Sequence, residues 1–99
     1  MTQEITISDL KRMMSQQRIH IIDIRDNYQF QLGNIPTSRN VPMNFLLTVP
    51  ENYLNKEDTY YLCCEFGSRS KRACQELLEM GYHVVNIAGG YQEYCQTFN

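Results

Sequence analysis

The sequence lacks the features of a membrane, secreted or nucleic-acid-binding protein. No apolar run approaches the roughly 18 residues that span a bilayer. The first ten residues, MTQEITISDL, have neither the basic nor the apolar block of a signal peptide. Nine Lys and Arg face eleven Asp and Glu, and the net charge of −2 leaves no basic surface for nucleic acid. We therefore predict a cytoplasmic protein with neither a membrane nor a nucleic-acid partner.

The four cysteines are not spaced as a metal site or as a disulfide scaffold. Cys63 and Cys64 are adjacent, no C-x-x-C pair occurs, and the two histidines stand alone. A bridge between neighbouring cysteines would close a strained ring, and cytosolic thiols stay reduced. We predict four free thiols, with no structural metal and no cofactor.

The 99 residues suit one domain, residues 1–99, and no repeat or linker divides them. Short β-branched or aromatic runs alternate with runs of helical period. Strands are predicted at residues 5–7, 20–24, 40–42, 59–63 and 83–87. Five helices are predicted: one starting at Ser8 or Asp9, one capped by Asp26, one capped by Asn44, one over residues 68–80 and one over residues 91–98. Met80 and Cys74 are predicted to lie on the apolar stripe of the fourth helix, and Cys95 on that of the fifth. This alternation predicts an α/β fold, a doubly wound parallel sheet of four to five strands with helices on both faces.

The segment between the fourth predicted strand and the longest helix has the features of a reactive-cysteine site. Cys64 follows the strand directly, and free N–H groups at the start of the next helix favour an anion there. Gly67 allows a turn that aims further N–H groups at the sulfur, and Arg69 adds a permanent cation. These features favour the nucleophilic thiolate, whereas Glu65 opposes it if its carboxylate points inward. We predict Cys64 as the catalytic residue, in an anion-binding loop made of Glu65, Phe66, Gly67, Ser68, Arg69 and Ser70.

Four short motifs occur in order along the chain. They are Ile22-Asp23-Ile24-Arg25, the stretch from Gly33 to Pro42, Cys64-x-x-Gly67-x-Arg69-Ser70, and Asn86-x-x-Gly89-Gly90. Together they resemble the motifs of the rhodanese-like sulfurtransferases over nearly the whole chain. Asn34 stands where that family has His, and Thr37-Ser38 stand where it has Gly-Ala. We interpret these changes as structural.

The resemblance implies covalent sulfur transfer. Cys64 would take a sulfane sulfur from thiosulfate or another persulfide donor, become a persulfide, and pass the sulfur to a thiol acceptor. The implied partners are a small anionic donor and a thiol acceptor, including a sulfur-carrier or thioredoxin-like protein. Some thiosulfate-using relatives carry extra cations in or near the loop, whereas Glu65 and Phe66 follow the cysteine here. This difference weakens the case for thiosulfate as the donor and leaves room for a protein or low-molecular-weight persulfide. Asp23 and Arg25 are predicted to support the loop by pairing or capping.

Two other functions stay open at this point. The letters Cys64-Glu65-Phe66 resemble the start of the loop in cell-cycle phosphatases, but those enzymes and the related arsenate reductases have one more residue before their Arg. A rhodanese-like module without catalysis could instead bind a partner or sense oxidants through its thiol. We also expect Cys63 to point away from the site, into the core, and Phe66 to select the substrate or meet a partner.

Overall fold

The computed structural model describes residues 2–97. The strands are Glu4–Ile5 (β1), His20–Asp23 (β2), Arg39–Asn40 (β3), Thr59–Cys63 (β4) and His83–Ile87 (β5). The helices are Ile7–Gln16 (α1), Asn27–Leu32 (α2), Met43–Thr48 (α3), Ser68–Glu79 (α4) and Gly90–Gln96 (α5), with a 3₁₀ turn over Pro50–Asn52. Within residues 2–97, no helix combines the length and apolar character that crossing a bilayer requires.

All five strands run parallel, in the order β1-β5-β4-β2-β3. The predicted α/β fold with a parallel sheet is confirmed. In the ladder, Asp23 pairs with Cys63, and Leu62 pairs with Asn86 on the other side. The carboxyl ends of β2, β4 and β5 therefore meet at one edge of the sheet, and Cys64 follows β4 at that edge.

The sheet is covered on both faces, and each face has its own apolar cluster. One cluster packs β2 and β4 against α3 and α4, with Leu46, Leu62 and Leu77 among its buried members. The other packs the opposite face against α1, with Ile7 and Leu10 buried and the tyrosines of α5 partly buried beside them. The alternation of side chains along β4 therefore directs successive residues into different layers.

The start of α1 differs from the prediction. Residues 5–7 were predicted as a strand, but β1 ends at Ile5 and α1 begins at Ile7. Thr6 is the N-cap, because its hydroxyl accepts a hydrogen bond from the Asp9 N–H at 3.0 Å. The capping hydroxyl satisfies a free helix donor, which outweighs the strand preference of a β-branched residue.

The cap predicted for α3 is also wrong. Pro42, not Asn44, is the N-cap, and Asn44 lies in the first turn. The Met43 N–H donates to the Ile24 carbonyl at 3.0 Å, so the bond to the end of β2 sets where this helix begins. By contrast, Asp26 caps α2 as predicted, accepting from the Gln29 N–H at 2.9 Å.

Two side chains predicted to lie on apolar stripes face solvent instead. Met80 follows the last residue of α4 and is exposed, and Cys95 is exposed near the end of α5. Met80 is the C-cap of α4 and Cys95 lies in the last turn of α5, so helical spacing alone overestimates burial at the ends of these helices. Cys74 is buried as predicted, and Phe98 lies outside the described residues.

The same substitution at two leucines tests this packing. Leu77 is completely buried in the α4 cluster, whereas the Leu32 residue is 73% exposed on α2. Leu77→Ala should lower the free energy of unfolding by about 2–5 kcal/mol, because it removes buried contacts and leaves a cavity. Leu32→Ala should change the free energy of unfolding by less than about 0.5 kcal/mol. Urea denaturation measures this free energy for both variants, and an equal loss in the two would contradict the difference in burial between Leu77 and Leu32.

Candidate active site

Cys64 lies where the chain turns from β4 into α4. Gly67 makes the turn with a φ of 100°, a left-handed conformation that glycine adopts without steric cost, and is the N-cap of α4. A Cβ atom at Gly67 would lie 2.8 Å from the backbone nitrogen of Gly89, so the loop and the start of α5 touch backbone to backbone. The loop therefore packs directly against the start of α5.

The sulfur of Cys64 sits in a cradle of polar groups although the residue is only 2% exposed. The N–H groups of Gly67 and Ser70 donate to Sγ at 3.1 and 3.2 Å. The hydroxyl oxygen of Ser70 lies 3.2 Å from the same sulfur. Backbone N–H groups at a helix start carry partial positive charge, so this arrangement suits a sulfur anion.

The start of α5 holds the loop from its other side. The N–H of Tyr91 donates to the Cys64 carbonyl at 2.9 Å, and that of Gln92 donates to the Glu65 carbonyl at 3.0 Å. Gly90 permits this approach, because a Cβ there would lie 2.5 Å from the Cys64 oxygen. The free N–H groups of one helix thus fix the loop whose own N–H groups face the sulfur.

Arg25 joins the loop to the end of β2. Its guanidinium contacts Asp23 at 2.8 Å, Glu65 at 3.0 Å and the Gly33 carbonyl at 2.7 Å. It also lies over the Tyr91 ring, 4.4 Å from the ring centre. Burial lowers the pKa of Arg25, but the bonds and charges of Asp23 and Glu65 outweigh it and raise the pKa above its usual value.

Glu65 is turned towards this cation. One carboxylate oxygen accepts from Arg25, and the other is hydrogen-bonded by the side-chain amide of Gln92. Sequence reasoning left open whether this carboxylate points inward and opposes a thiolate. Its two oxygens have partners other than Cys64, and their charge lies beside a guanidinium.

A second polar network lies on the other side of the sulfur. The Ser70 hydroxyl is 2.5 Å from the side-chain oxygen of Asn86, which is fully buried. The amide nitrogen of Asn86 donates to the Gly67 carbonyl at 3.1 Å and to Glu4 at 2.8 Å. Sequence reasoning placed Asn86 in the last of the four motifs but assigned no role in the site to Asn86 or Glu4. A polar residue inside the apolar strand His83–Ile87 was the available signal, because buried amides require partners.

The other predicted loop residues face outward. Phe66 is 71% exposed, and Ser68 and Arg69 are exposed on the first turn of α4. The Arg69 guanidinium lies 4.0 Å from the sulfur of Met43. The hydrogen bonds described for the Cys64 sulfur come from Gly67 and Ser70, so a direct role for Arg69 stays a prediction.

The remaining thiols are separate from the Cys64 cradle. Cys63 points into the apolar cluster on the opposite face, as predicted, and burial, followed by the charge of Asp23, raises its pKa. Burial raises the pKa of Cys74 to about 12. The four cysteines are free thiols, and across residues 2–97 no group of three or more His, Cys, Asp or Glu is placed to hold a metal ion.

Comparisons with known proteins identify the family of this chain. The family model of the rhodanese-like domain matches residues 6–97. The putative sulfurtransferase YtwF of Bacillus subtilis is 31% identical over 90 residues, which cover 88% of this chain and 84% of that protein. The adenylyltransferase and sulfurtransferase uba4 of Ogataea parapolymorpha is 28% identical, and the match covers 91% of this chain but only 23% of uba4.

A solved structure gives the same result. The rhodanese-like domain protein of Staphylococcus aureus superposes with a TM-score of 0.83 at 30% sequence identity, covering 94% of this chain and 91% of that one. The family model, the similar sequences and the similar structure each match nearly all of the residues that form the sheet and the loop. This chain therefore belongs to the rhodanese-like domain family of sulfurtransferases.

Proposed function

We propose that the protein is a sulfurtransferase that carries sulfur as a persulfide on Cys64. The observation that carries this proposal is the cradle around Sγ, in which two backbone N–H groups donate to a sulfur with almost no exposure. A cysteine that only fills space in a core needs no such donors. Donors fixed in advance stabilise a sulfur anion in the same way that an oxyanion hole stabilises oxygen.

In the first half of the reaction, the thiolate attacks the sulfane sulfur of the donor. A bond forms between Sγ and that sulfur, and the bond between the sulfur and its donor breaks. The donor leaves with the bonding electron pair, as sulfite from thiosulfate or as a thiolate from a persulfide. The new terminal sulfur carries the negative charge that Cys64 held before.

In the second half, a thiolate acceptor attacks the terminal sulfur and leaves as a persulfide, which restores the Cys64 thiolate. We propose a small thiol or a sulfur-carrier or thioredoxin-like protein as the acceptor. Similarity to the adenylyltransferase and sulfurtransferase uba4 supports a partner in sulfur transfer. Exposed Phe66 at the loop tip offers an apolar contact to such a partner. The four free thiols fit a cytoplasmic site of action.

The charges around the loop favour a persulfide over thiosulfate as the donor. Thiosulfate carries two negative charges and needs cations to hold it. The buried guanidinium of Arg25 is already paired with Asp23 and Glu65. Within the loop, Arg69 is the one residue with a positive charge. The loop has six residues from Cys64 to Arg69, one fewer than in phosphatases and arsenate reductases, and this shorter loop favours a sulfur substrate over phosphate.

Intact mass spectrometry tests the persulfide directly. Reduced protein incubated with a low-molecular-weight persulfide should gain about 32 Da, the mass of one sulfur atom, and a thiol should reverse the gain. Thiosulfate should load the protein more slowly, because it carries two negative charges and the Arg25 guanidinium is already paired. Cys64→Ser should not gain this mass, whereas Cys95→Ser, which removes the exposed thiol, should load as the parent does.

Failure to load from either donor, with Cys64 shown to be reduced, would contradict the proposal. Phosphate-ester turnover by the same sample would then favour the phosphatase function. A protein that neither loads sulfur nor hydrolyses phosphate esters, but whose thiol oxidises reversibly, would favour an interaction or redox-sensing module.

A pair of glycine variants tests whether loop position controls loading. Gly90 and Gly81 both have positive φ, so replacement by Ala strains the backbone at each by about 1–2 kcal/mol. At Gly90 the new Cβ also meets the Cys64 and Glu65 carbonyl oxygens, at 2.5 and 2.7 Å. At Gly81 the nearest atom is the flexible Lys56 Nζ, at 3.4 Å.

Gly90→Ala should therefore slow sulfur loading by about tenfold or more, because displaced donors no longer face the sulfur. Gly81→Ala should lose stability with little change in the loading rate. Thermal unfolding and time-resolved mass spectrometry separate the two effects. Equal loading rates in the two variants would show that the cradle is not needed for the reaction.

A further inference from the structure

The orientation of the Asn86 side chain follows from its neighbours. Its nitrogen has two acceptors, the Glu4 carboxylate at 2.8 Å and the Gly67 carbonyl at 3.1 Å. The amide oxygen therefore faces Ser70, because the reverse orientation would place it against two other acceptors. Glu4 and Asn86 are also direct partners in the β1–β5 ladder, which holds the carboxylate next to the amide.

This orientation decides what the Ser70 hydroxyl does. The Asn86 oxygen only accepts, so at 2.5 Å the single hydrogen of the Ser70 hydroxyl points to it. The Gly67 carbonyl is a weaker alternative at 3.3 Å, and it already accepts from Asn86. Ser70 can then offer only a lone pair to Cys64, 3.2 Å away, and accepts from the thiol.

We propose that Glu4 is a positioning residue for Cys64: through Asn86 it keeps the Ser70 hydroxyl turned away from the sulfur and so favours the thiol over the thiolate. This inference rests on the proposed role of Cys64 as the nucleophile. A charged carboxylate is a stronger acceptor than a neutral amide and polarises the Asn86 group that Ser70 contacts. When the sulfur becomes an anion, the hydroxyl must turn to donate to it, and Glu4 opposes that turn.

The hydrogen-bond partners of the Cys64 sulfur then have opposing effects on its ionisation. The Gly67 and Ser70 N–H groups stabilise the anion, whereas the Ser70 hydroxyl as oriented stabilises the thiol. Glu4 therefore sets how readily Cys64 ionises without touching it.

Other ionisable groups lie near the adjacent thiols of Cys63, at the end of β4, and Cys64, which follows it. They are Asp23, Arg25 and Glu65 from β2 and the loop, and Cys74 from α4. Asp23 and Glu65 are each paired with Arg25, and burial raises the pKa of Cys74 to about 12. Glu4 is the carboxylate that is hydrogen-bonded to Asn86.

The test is the pH profile of Cys64 alkylation by iodoacetamide in the full chain, followed at the Cys64 peptide by mass spectrometry. Glu4→Gln keeps the shape of the side chain but replaces the carboxylate with an amide that accepts less strongly and can also donate. The Ser70 hydroxyl is then freer to turn to the sulfur. Alkylation at pH 7 should become about threefold faster or more, and the midpoint of the profile should move to lower pH.

Two further variants separate this effect from a simple loss of charge. Glu93→Gln removes a carboxylate whose side chain packs against Gly89 beside the loop, and it should leave the profile unchanged. Ser70→Ala removes the hydroxyl through which Glu4 is proposed to act. In that background Glu4→Gln should have no effect on the profile.

An unchanged profile in Glu4→Gln would overturn the inference. So would a shift of the same size in Glu93→Gln, or one that persists in the Ser70→Ala background, because each would mean that charge acts through space. Thermal unfolding of each variant identifies any loss of folding. Alkylation needs no sulfur donor, so its outcome stands apart from the sulfur-loading test of the proposed function.

Discussion

The position of the cysteine loop depends on one buried cation. The Arg25 guanidinium binds Asp23 at the end of β2, Glu65 in the loop and the Gly33 carbonyl after α2, and it lies over the Tyr91 ring of α5. A buried charge is costly unless each of its donors has a partner, so the segments that supply those partners must come together around it. The Glu65 carboxylate is thereby held by Arg25 and not by the sulfur of Cys64.

Hydrogen bonds from backbone N–H groups fix most of the rest of this site. The N–H groups at the start of α5 hold the loop carbonyls, and N–H groups of the loop and α4 hold the sulfur. Groups of this kind cannot be removed by a side-chain substitution, but they can be moved. Gly67 and Gly90 are needed because the backbones of the loop and of α5 approach more closely than a Cβ allows, whereas a Cβ at Gly89 would meet the Glu93 side chain.

The sequence contained enough information for the α/β fold and the parallel sheet. Strands that are covered by helices on both faces are largely apolar, so runs such as 59–63 and 83–87 could be recognised as strands. The helical period of residues 68–80 predicts α4 correctly. The errors came at element ends. The start of α1 depends on the hydroxyl of Thr6, and that of α3 depends on a hydrogen bond to the carbonyl of Ile24, the residue that follows β2. At Thr6, two local preferences compete, one for a strand and one for a helix cap. The bond between Met43 and Ile24 joins separate segments and does not exist until the sheet forms.

At the site, the sequence by itself determined that Cys64 follows a strand and precedes a helix, since order along the chain and periodicity are local properties. Only the tertiary structure decided where the side chains beyond the loop point. It turned Glu65 to Arg25 and Gln92, left Arg69 beside Met43, and brought Asn86 and Glu4 to Ser70. Glu4 and Asn86 lie 82 positions apart and meet only because β1 pairs with β5. No local pattern encodes such a contact, because it depends on the order of strands in the sheet.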